Sequence, residues 1–221
     1  MWEVAGGALP ELRDLAQKTS PARKAGEKNG GAARKTVRKG DSAPRKVAGT
    51  GTGTTYVTTF ETGVIGNLTL ASDGERISHC WFEHDRNWDA DVAEAYVRKD
   101  DLPVFDIARR WLRGYFAGER PDPGELPLGL VGTPFRMVVW EQLLRIPYGR
   151  TVTYGELAER VESQTGRRTS ARAVGGAVGH NPICVIVPCH RVVGAGGSLT
   201  GFAGGVEVKA RLLALEGAKM G

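Results

Sequence analysis

Residues 18–53 contain almost no large apolar side chain; the run KTSPARKAGEKNGGAARKTVRKGDSAPRKVAGTGTG sets Lys and Arg every few positions among Gly, Ala, Ser and Thr. A segment of this kind buries too little apolar surface to offset its ordering entropy, so residues 1–53 are expected to be a disordered basic tail. Folding must then be carried by the remainder of the 221-residue chain, enough for two small domains. The overall 41% hydrophobic and 25% charged residues exclude collagen-like, wholly disordered and disulfide-scaffold chains. No apolar stretch reaches a membrane span, and the opening MWEVAGGALPELRDL has neither the basic region nor the apolar core of a secretory signal, so a cytoplasmic protein with no membrane association is expected.

Charge is unevenly spread. Residues 1–50 carry 11 Lys and Arg against 5 Asp and Glu, residues 51–150 carry 11 against 15, and residues 151–221 carry 8 against 5. The basic ends suit phosphate contacts that are blind to sequence and sensitive to salt, though a solvated tail without a partner has the same composition. Three cysteines, Cys80, Cys184 and Cys189, are too few and too scattered for an extracellular framework. His79 to His84 offers several ligand types but no second pair, so no metal site is expected.

From Thr54 the pattern becomes β-branched and aromatic. TTYVTTF, GVIGNLTLA and, after the Asp73-Gly74 turn signal, RISHCWF predict a three-stranded antiparallel meander. Val104, Ile107, Ala108, Trp111, Leu112 and Tyr115 then make a helical stripe that packs on it. The acidic stretch 121–132 reads as a linker, which divides an N-terminal α/β domain (54–131) from a C-terminal domain (132–221). Thr133-Pro134 caps a helix, PFRMVVWEQLLRI, that is apolar nearly all round and predicted to be central to the core. Thr153 and Glu156 are spaced as a capping box for a second helix, and Ser170 caps a third that runs to about His180 before Asn181-Pro182. The fold class is α/β, with a mostly helical second domain. The pair of short helices, the latter carrying Ala171, Arg172 and Gly175, suggests a helix-turn-helix, although a connection over 162–169 is long for one and small residues also serve helix packing. The adjacent Gly175 and Gly176 each weaken that helix by roughly 1 kcal/mol relative to Ala, which suggests close approach of another surface.

Residues 183–193, ICVIVPCHRVV, form an apolar, strand-like run that stops at a proline and presents Cys189, His190 and Arg191. A nucleophilic thiol needs an imidazole, a positive charge or a helix N-terminus nearby, and His190 is the candidate. Adjacent residues of an extended strand point apart, so contact requires a turn or an intervening water; a buried structural cysteine has the same spacing. GAGGSLTGFAGG (194–205) is flexible enough to bend around a flat ligand, with Phe202 as a stacking face, and lacks the spacing of a phosphate loop. A last helix over 207–216 buries Val208, Leu212, Leu213 and Leu215 and ends at Glu216, where a carboxylate is disfavoured; either it holds something, such as a histidine, or it is solvated.

ProCysHisArgValVal, together with ArgAlaValGlyGlyAla and AsnPro upstream and LeuLeuAlaLeuGluGly downstream, resembles the O6-alkylguanine-DNA alkyltransferases, the methylated-DNA–protein-cysteine methyltransferases. The likeness is dense from residue 132 to 217; residues 54–131 resemble the family in layout and in the sequence YFAGE before the linker. It implies that Cys189 is nucleophile and alkyl acceptor, that His190 is its general base through a water, and that Glu216 orients His190. Asn181 would brace the turn before the active site, and Tyr154 would help neutralise the departing guanine. Arg172 would fill the gap left by the flipped nucleotide, with Ala171 and Gly175 beside it on the DNA face. Carbonyls of Cys189 and Val192 would read the exocyclic amine, with Phe202 and Ala203 completing the base pocket. Phe202 stands where the family often has tyrosine and Ala203 where it often has serine, so a side-chain hydroxyl is missing there.

The implied partner is double-stranded DNA carrying O6-alkylguanine, met by a monomer that acts once per molecule and uses no metal or organic cofactor. A lesion sensor without chemistry, a Cys-His thiol hydrolase and a plain transcription regulator are the alternatives. The last two leave Arg172 and ProCysHisArg, respectively, without a role.

Overall fold

The computed structural model describes residues 54–83 and 96–218. The expected tail, and His84 of the weighed metal cluster, lie outside these residues.

The β-branched and aromatic runs form the expected meander. Tyr56–Glu61 (β1) pairs antiparallel with Asn67–Ser72 (β2), and β2 with Ile77–Phe82 (β3), in registers that set Phe60 opposite Leu68 and Leu70 opposite Cys80. The Asp73 carboxylate closes the second turn by accepting from the N–H groups of Glu75 and Arg76 at 3.0 and 2.8 Å. A fourth strand, Val97–Arg98 (β4), adds parallel to β1, so the order is β3-β2-β1-β4. Two residues of strand have no periodicity to read, which is why the sequence showed three.

Pro103–Phe116 (α1) starts on a proline whose missing N–H costs nothing there. It buries Val104, Phe105, Ala108, Trp111, Leu112 and Tyr115. Ile107, expected in that stripe, is 39% exposed. At about 100° per residue it falls roughly 100° from the centre of the buried arc, and Phe105 occupies the other flank. The stretch 121–132 is anchored rather than a bare linker: Trp111 Nε1–H donates to Asp122 O at 2.9 Å, and Leu128 bridges Ile77 along the edge of β3.

Pro134–Leu144 (α2) opens on the Thr133 cap, whose hydroxyl accepts from Arg136 N at 3.3 Å. It buries Val139, Trp140, Gln142 and Leu143, while Phe135 and Met137 stay 36% and 37% exposed. The expectation of an all-round buried helix therefore fails at its N-terminal turns, which stay exposed among the described residues, although Trp140 does sit in the core and donates to Ala177 O at 3.0 Å. Tyr154–Thr165 (α3) carries the predicted capping box: Thr153 Oγ1 accepts from Glu156 N at 3.1 Å and Glu156 Oε2 from Thr153 N at 2.6 Å. It runs to Thr165, further than expected, and stops at Gly166 with φ 68°. Ala171–Val178 (α4) is capped by Ser170 and ends two residues before His180. Only residues 166–170 then connect α3 to α4, close to the turn of a helix-turn-helix. Val206–Leu215 (α5) closes the chain's described part.

Val152–Thr153 (β5) pairs parallel with Val192–Val193 (β6), Val152 against Val192 and Thr153 against Val193. Because Thr153 also caps α3, this pairing fixes Tyr154, the first residue of α3, beside the segment that carries Cys189. One hydrophobic core runs through both halves, from Leu68 and Phe105 to Trp140, Val174 and Leu212. Among the described residues no helix is long and apolar enough to cross a membrane.

Candidate active site

Of the expected strand over 183–193 only Val192–Val193 is strand, and residues 183–188 form a folded-back loop. Val185 has φ 70°, a left-handed conformation that costs a β-branched residue on the order of 1–3 kcal/mol. Asn181 holds the loop in that shape: its Nδ2 donates to Val187 O at 2.7 Å and Ile183 O at 3.5 Å, and its Oδ1 accepts from Ile183 N at 3.1 Å. Three hydrogen bonds from one buried side chain thus tie residues 183 and 187 of the loop together. The loop is also stitched to β3, Cys80 N donating to Pro182 O and Cys184 N to Cys80 O. The N-terminal sheet therefore reaches the site directly.

After Pro188 the chain makes one turn of 3-10 helix, Cys189–Arg191, so Cys189 and His190 do not stand on an extended strand. Cys189 is 5% exposed. Its thiol is held below the ordinary thiol range: a hydrogen bond from Cys184 contributes most, burial opposes it, and Asn181 and the Lys209 charge assist. His190 is fully buried and faces Glu216, Nε2 lying 2.8 Å from Oε1. An ionised carboxylate only accepts, so Nε2 carries the proton and Nδ1 the lone pair. Nδ1 is buried and has no hydrogen-bond partner among the described residues. Burial pulls the imidazole pKa down against the pull of Glu216, which favours the neutral, proton-accepting form.

Glu216, the carboxylate at the wrong helix end, is 4% exposed and surrounded by donors. Tyr115 O–H donates to Oε1 at 2.7 Å, Arg191 Nη2 to Oε1 at 2.9 Å, Arg191 Nε to Oε2 at 2.9 Å, and Gly149 N to Oε2 at 3.0 Å. Burial alone would raise this carboxyl, but His190 and Arg191 overcome it and hold it far below the usual carboxylate range. Arg191 is locked in turn by Ile146 O at 2.6 Å. Gly149 must be glycine: it has φ 72°, and a Cβ would meet Glu216 O at 2.8 Å.

Four further residues belong to this site without having been assigned roles from sequence: Tyr115, Arg191, Cys184 and Lys209. Lys209 is fully buried on α5, its Nζ donating to Val192 O at 2.5 Å and Thr200 O at 3.2 Å. Burial lowers its pKa to about 8, with the Cys189 charge opposing. Both carbonyls expected to read a base already accept within the protein, Val192 O from Lys209 and Cys189 O from Val192 N. Each retains a second lone pair.

Tyr154 lies half-buried near Cys189, its O–H donating to Thr200 O at 3.4 Å; burial, then the Cys189 charge, raises its pKa, so it keeps its proton. Phe202 does not present an open face. It is 7% exposed and packs edge-on to Phe82 of β3 at 5.4 Å, and Gly204 lies so flat on Phe82 that a Cβ would come within 2.7 Å. Ala203 follows, half-buried. Ala171 and Arg172 are exposed on α4 and stand apart from the Cys189 cluster, while Gly175 faces the Tyr154 ring with its Cβ position 3.6 Å away. That is ordinary van der Waals contact, and among the described residues nothing lies within 4 Å of a Cβ at Gly176, so their packing does not require the glycine pair. Among the described residues no cluster of three His, Cys, Asp or Glu side chains could hold a metal ion.

A thiol held low and a neutral imidazole backed by a buried carboxylate are the parts of a cysteine nucleophile with its proton acceptor, and two short helices joined by residues 166–170 lie in the same half of the chain. Residues 134–218 match the family model of the DNA binding domain of 6-O-methylguanine DNA methyltransferase, and residues 55–130 match its ribonuclease-like domain. The methylated-DNA–protein-cysteine methyltransferase of Haemophilus influenzae is 42% identical over 158 residues, 72% of this chain and 84% of that one; that of Mycobacterium tuberculosis is 44% identical over 69% and 87%. A crystal structure of M. tuberculosis O6-methylguanine methyltransferase superposes with a TM-score of 0.63 at 41% identity, covering 74% of this chain and 93% of that chain. A structure of M. tuberculosis OGT in complex with DNA gives 0.62 at 41% identity over 73% and 92%. The chain belongs to the 6-O-methylguanine DNA methyltransferase family. Its activity is that of a methylated-DNA–protein-cysteine methyltransferase, the transfer of alkyl groups from DNA to protein cysteine in DNA repair.

Proposed function

We propose that Cys189 is the acceptor, that it takes the alkyl group from O6 of an alkylated guanine flipped out of duplex DNA, and that each molecule reacts once. The observation that carries this reading is the imidazole of the residue after Cys189: His190 is buried, commits Nε2 to Glu216 and leaves Nδ1 without a partner among the described residues. The Cys189 proton passes through a water to Nδ1, and Glu216 stabilises the imidazolium that results. The thiolate attacks the alkyl carbon in line; an S–C bond forms, the C–O6 bond breaks, and its electron pair leaves with guanine. Tyr154, protonated and at the rim, donates toward the guanine as charge develops on it. The thioether product is not a substrate for any group in the pocket, and the atoms balance without metal or cofactor.

The basic tail (1–53), the α/β domain (54–131) and the alkyltransferase domain (132–221) divide the work. Arg172 enters the base stack behind the flipped nucleotide, Ala171 and Gly175 let α4 approach the groove, and Val192, Phe202 and Ala203 bound the base from the loop side. Extrusion costs a few kcal/mol, less where the lesion weakens pairing, so damage assists its own selection. The protein acts as a monomer in the cytoplasm, where a reducing environment keeps Cys189 a thiol.

The test is intact and peptide mass spectrometry after mixing with excess duplex bearing one O6-methylguanine, beside Cys189→Ala. One added methylene mass, confined to the Cys189 peptide and saturating at one per chain, is the expected result. Lesion-selective binding without a mass change would replace the transferase reading with a sensor.

A further inference from the structure

The loop over 194–205 holds six glycines, so its backbone has little preference of its own and takes the shape that its contacts impose. Those contacts fall at two places. At the first, the Thr200 carbonyl accepts from Lys209 Nζ at 3.2 Å, and the same ammonium donates to Val192 O, three residues past Cys189. Tyr154 O–H reaches that Thr200 carbonyl from α3 at 3.4 Å. The loop is thereby tied beside the Cys189 turn.

The second place is Phe82. Residues 202–204 form a ledge, which Gly205 N closes by donating to Phe202 O at 3.1 Å and which the left-handed Gly201 (φ 52°) and Gly205 (φ 91°) bracket. Phe202 packs edge-on to the Phe82 ring with centroids 5.4 Å apart, and a Cβ on Gly204 would stand 2.7 to 3.0 Å from three carbons of that ring. Phe82 has little room to give way, since it ends β3 opposite Leu68 of β2 and is 4% exposed in the core. The Tyr154 ring is backed in turn by α4, where a Cβ on Gly175 would touch it at 3.6 Å.

We propose that Phe82 is a specificity-determining residue for alkyl transfer: its ring, supplied by the α/β half, backs the wall formed by residues 202–204 and confines the space over Cys189 to small alkyl groups, methyl above all. This rests on the reading of Cys189 as acceptor and of Phe202 and Ala203 as pocket wall. The step itself is unchanged: S–C forms as C–O6 breaks, and guanine leaves with the electron pair. In-line attack needs the alkyl carbon about 3 to 3.5 Å from Cys189 Sγ, so whatever that carbon carries must fit between the sulfur and the walls. A methyl carbon carries only hydrogens. A benzyl carbon carries a planar ring, which enters only where a wall recedes. With Tyr154 backed by α4 and residues 202–204 backed by Phe82, neither wall recedes without disturbing a close-packed core, which transmits strain and does not absorb it.

The experiment uses the full chain with Phe82→Leu and with Phe82→Met, whose adaptable side chain fills more of the vacated space and guards against a variant that does not fold. Single-turnover rates are measured with duplexes bearing O6-methylguanine or O6-benzylguanine, and the transferred group is located by peptide mass mapping. The benzyl-to-methyl rate ratio within one protein does not depend on the fraction folded, so a loss of stability alone leaves it fixed. Wild type is expected to transfer benzyl more slowly than methyl. The variants are expected to raise the ratio by about tenfold, the low end of what one methylene of pocket space controls, with methyl transfer by the folded protein nearly unchanged. Benzyl transferred by wild type as fast as methyl overturns the proposal, and so does a ratio that neither variant raises; in both cases a group found on Cys189 leaves the acceptor reading standing. Methyl recovered on a peptide other than that of Cys189 overturns that reading and the proposal with it.

Discussion

Glu216 was legible in the sequence because it violates a local rule: a carboxylate at a helix C-terminus stands against the dipole, so something else must hold it there. What holds it was not legible. Tyr115 comes from α1, Gly149 from the end of the α2 region and Arg191 from the active-site turn, and no periodicity links positions so far apart in the chain. Glu216→Gln keeps the shape but removes the charge that Arg191 needs, and an unpaired buried charge costs about 3–5 kcal/mol of stability. In the fraction that remains folded, transfer from an O6-methylguanine duplex is expected to slow by about 100-fold, the low end of what a general base contributes, with DNA affinity nearly unchanged. Parallel loss of both in the folded fraction would reduce Glu216 to a structural role. Lys209 carries a different signature. Its pKa falls from 10.5 to about 8 on folding, so between those values the unfolded chain binds more protons and stability rises with pH. Urea unfolding of Lys209→Met over the same window should show a flatter rise than wild type; an equal rise would remove Lys209 as its source.

Among the elements, those with their own period or cap were legible: β1 to β3, α1, and the capped starts of α2, α3 and α4. The short ones were not. β4, β5 and β6 have two residues each and exist only because a partner is present, yet β5 and β6 are what place Tyr154 next to the Cys189 segment. Residues 183–191 misled for a related reason, since their composition is that of a strand and the Asn181 side chain and Val185 show otherwise. The glycine pair of α4 separates the two kinds of cause. Gly176 is helical, open above its Cα and four residues from Arg172 on the same exposed face. Gly176→Ala should therefore stabilise the fold by about 1 kcal/mol from helix propensity alone. If that face meets DNA, the same methyl group should weaken binding to a lesion duplex severalfold. Thermal or urea unfolding together with a binding titration reads both signs at once, and a variant more stable with unaltered affinity would place the DNA elsewhere than over Gly176.

For the molecule as a whole, the two family segments are not independent. The Cys80 strand pairs with the active-site loop, Phe82 supports the glycine-rich loop, and Tyr115 donates into the His190–Glu216 pair. The α/β half is thus part of the site's scaffold. The remaining 53 residues contribute charge: residues 1–50 carry a net +6 while residues 51–150 carry −4. A basic segment tethered to a DNA-binding domain adds contacts to phosphate that release counterions, and each such contact adds about 0.9 to the slope of log K against log salt. It adds nothing to recognition of O6, because phosphate carries no base information. Deleting residues 1–50 is therefore expected to lower DNA affinity most at low salt and to reduce the salt slope by several. The lesion-to-undamaged affinity ratio should hold, as should the single methyl on Cys189. Titrations of lesion and undamaged duplexes at several salt concentrations decide it. An unchanged slope would mean that the 11 basic residues of the segment do not contact phosphate, and a slope change with loss of lesion preference would mean that the tail shapes the complex and not only its strength.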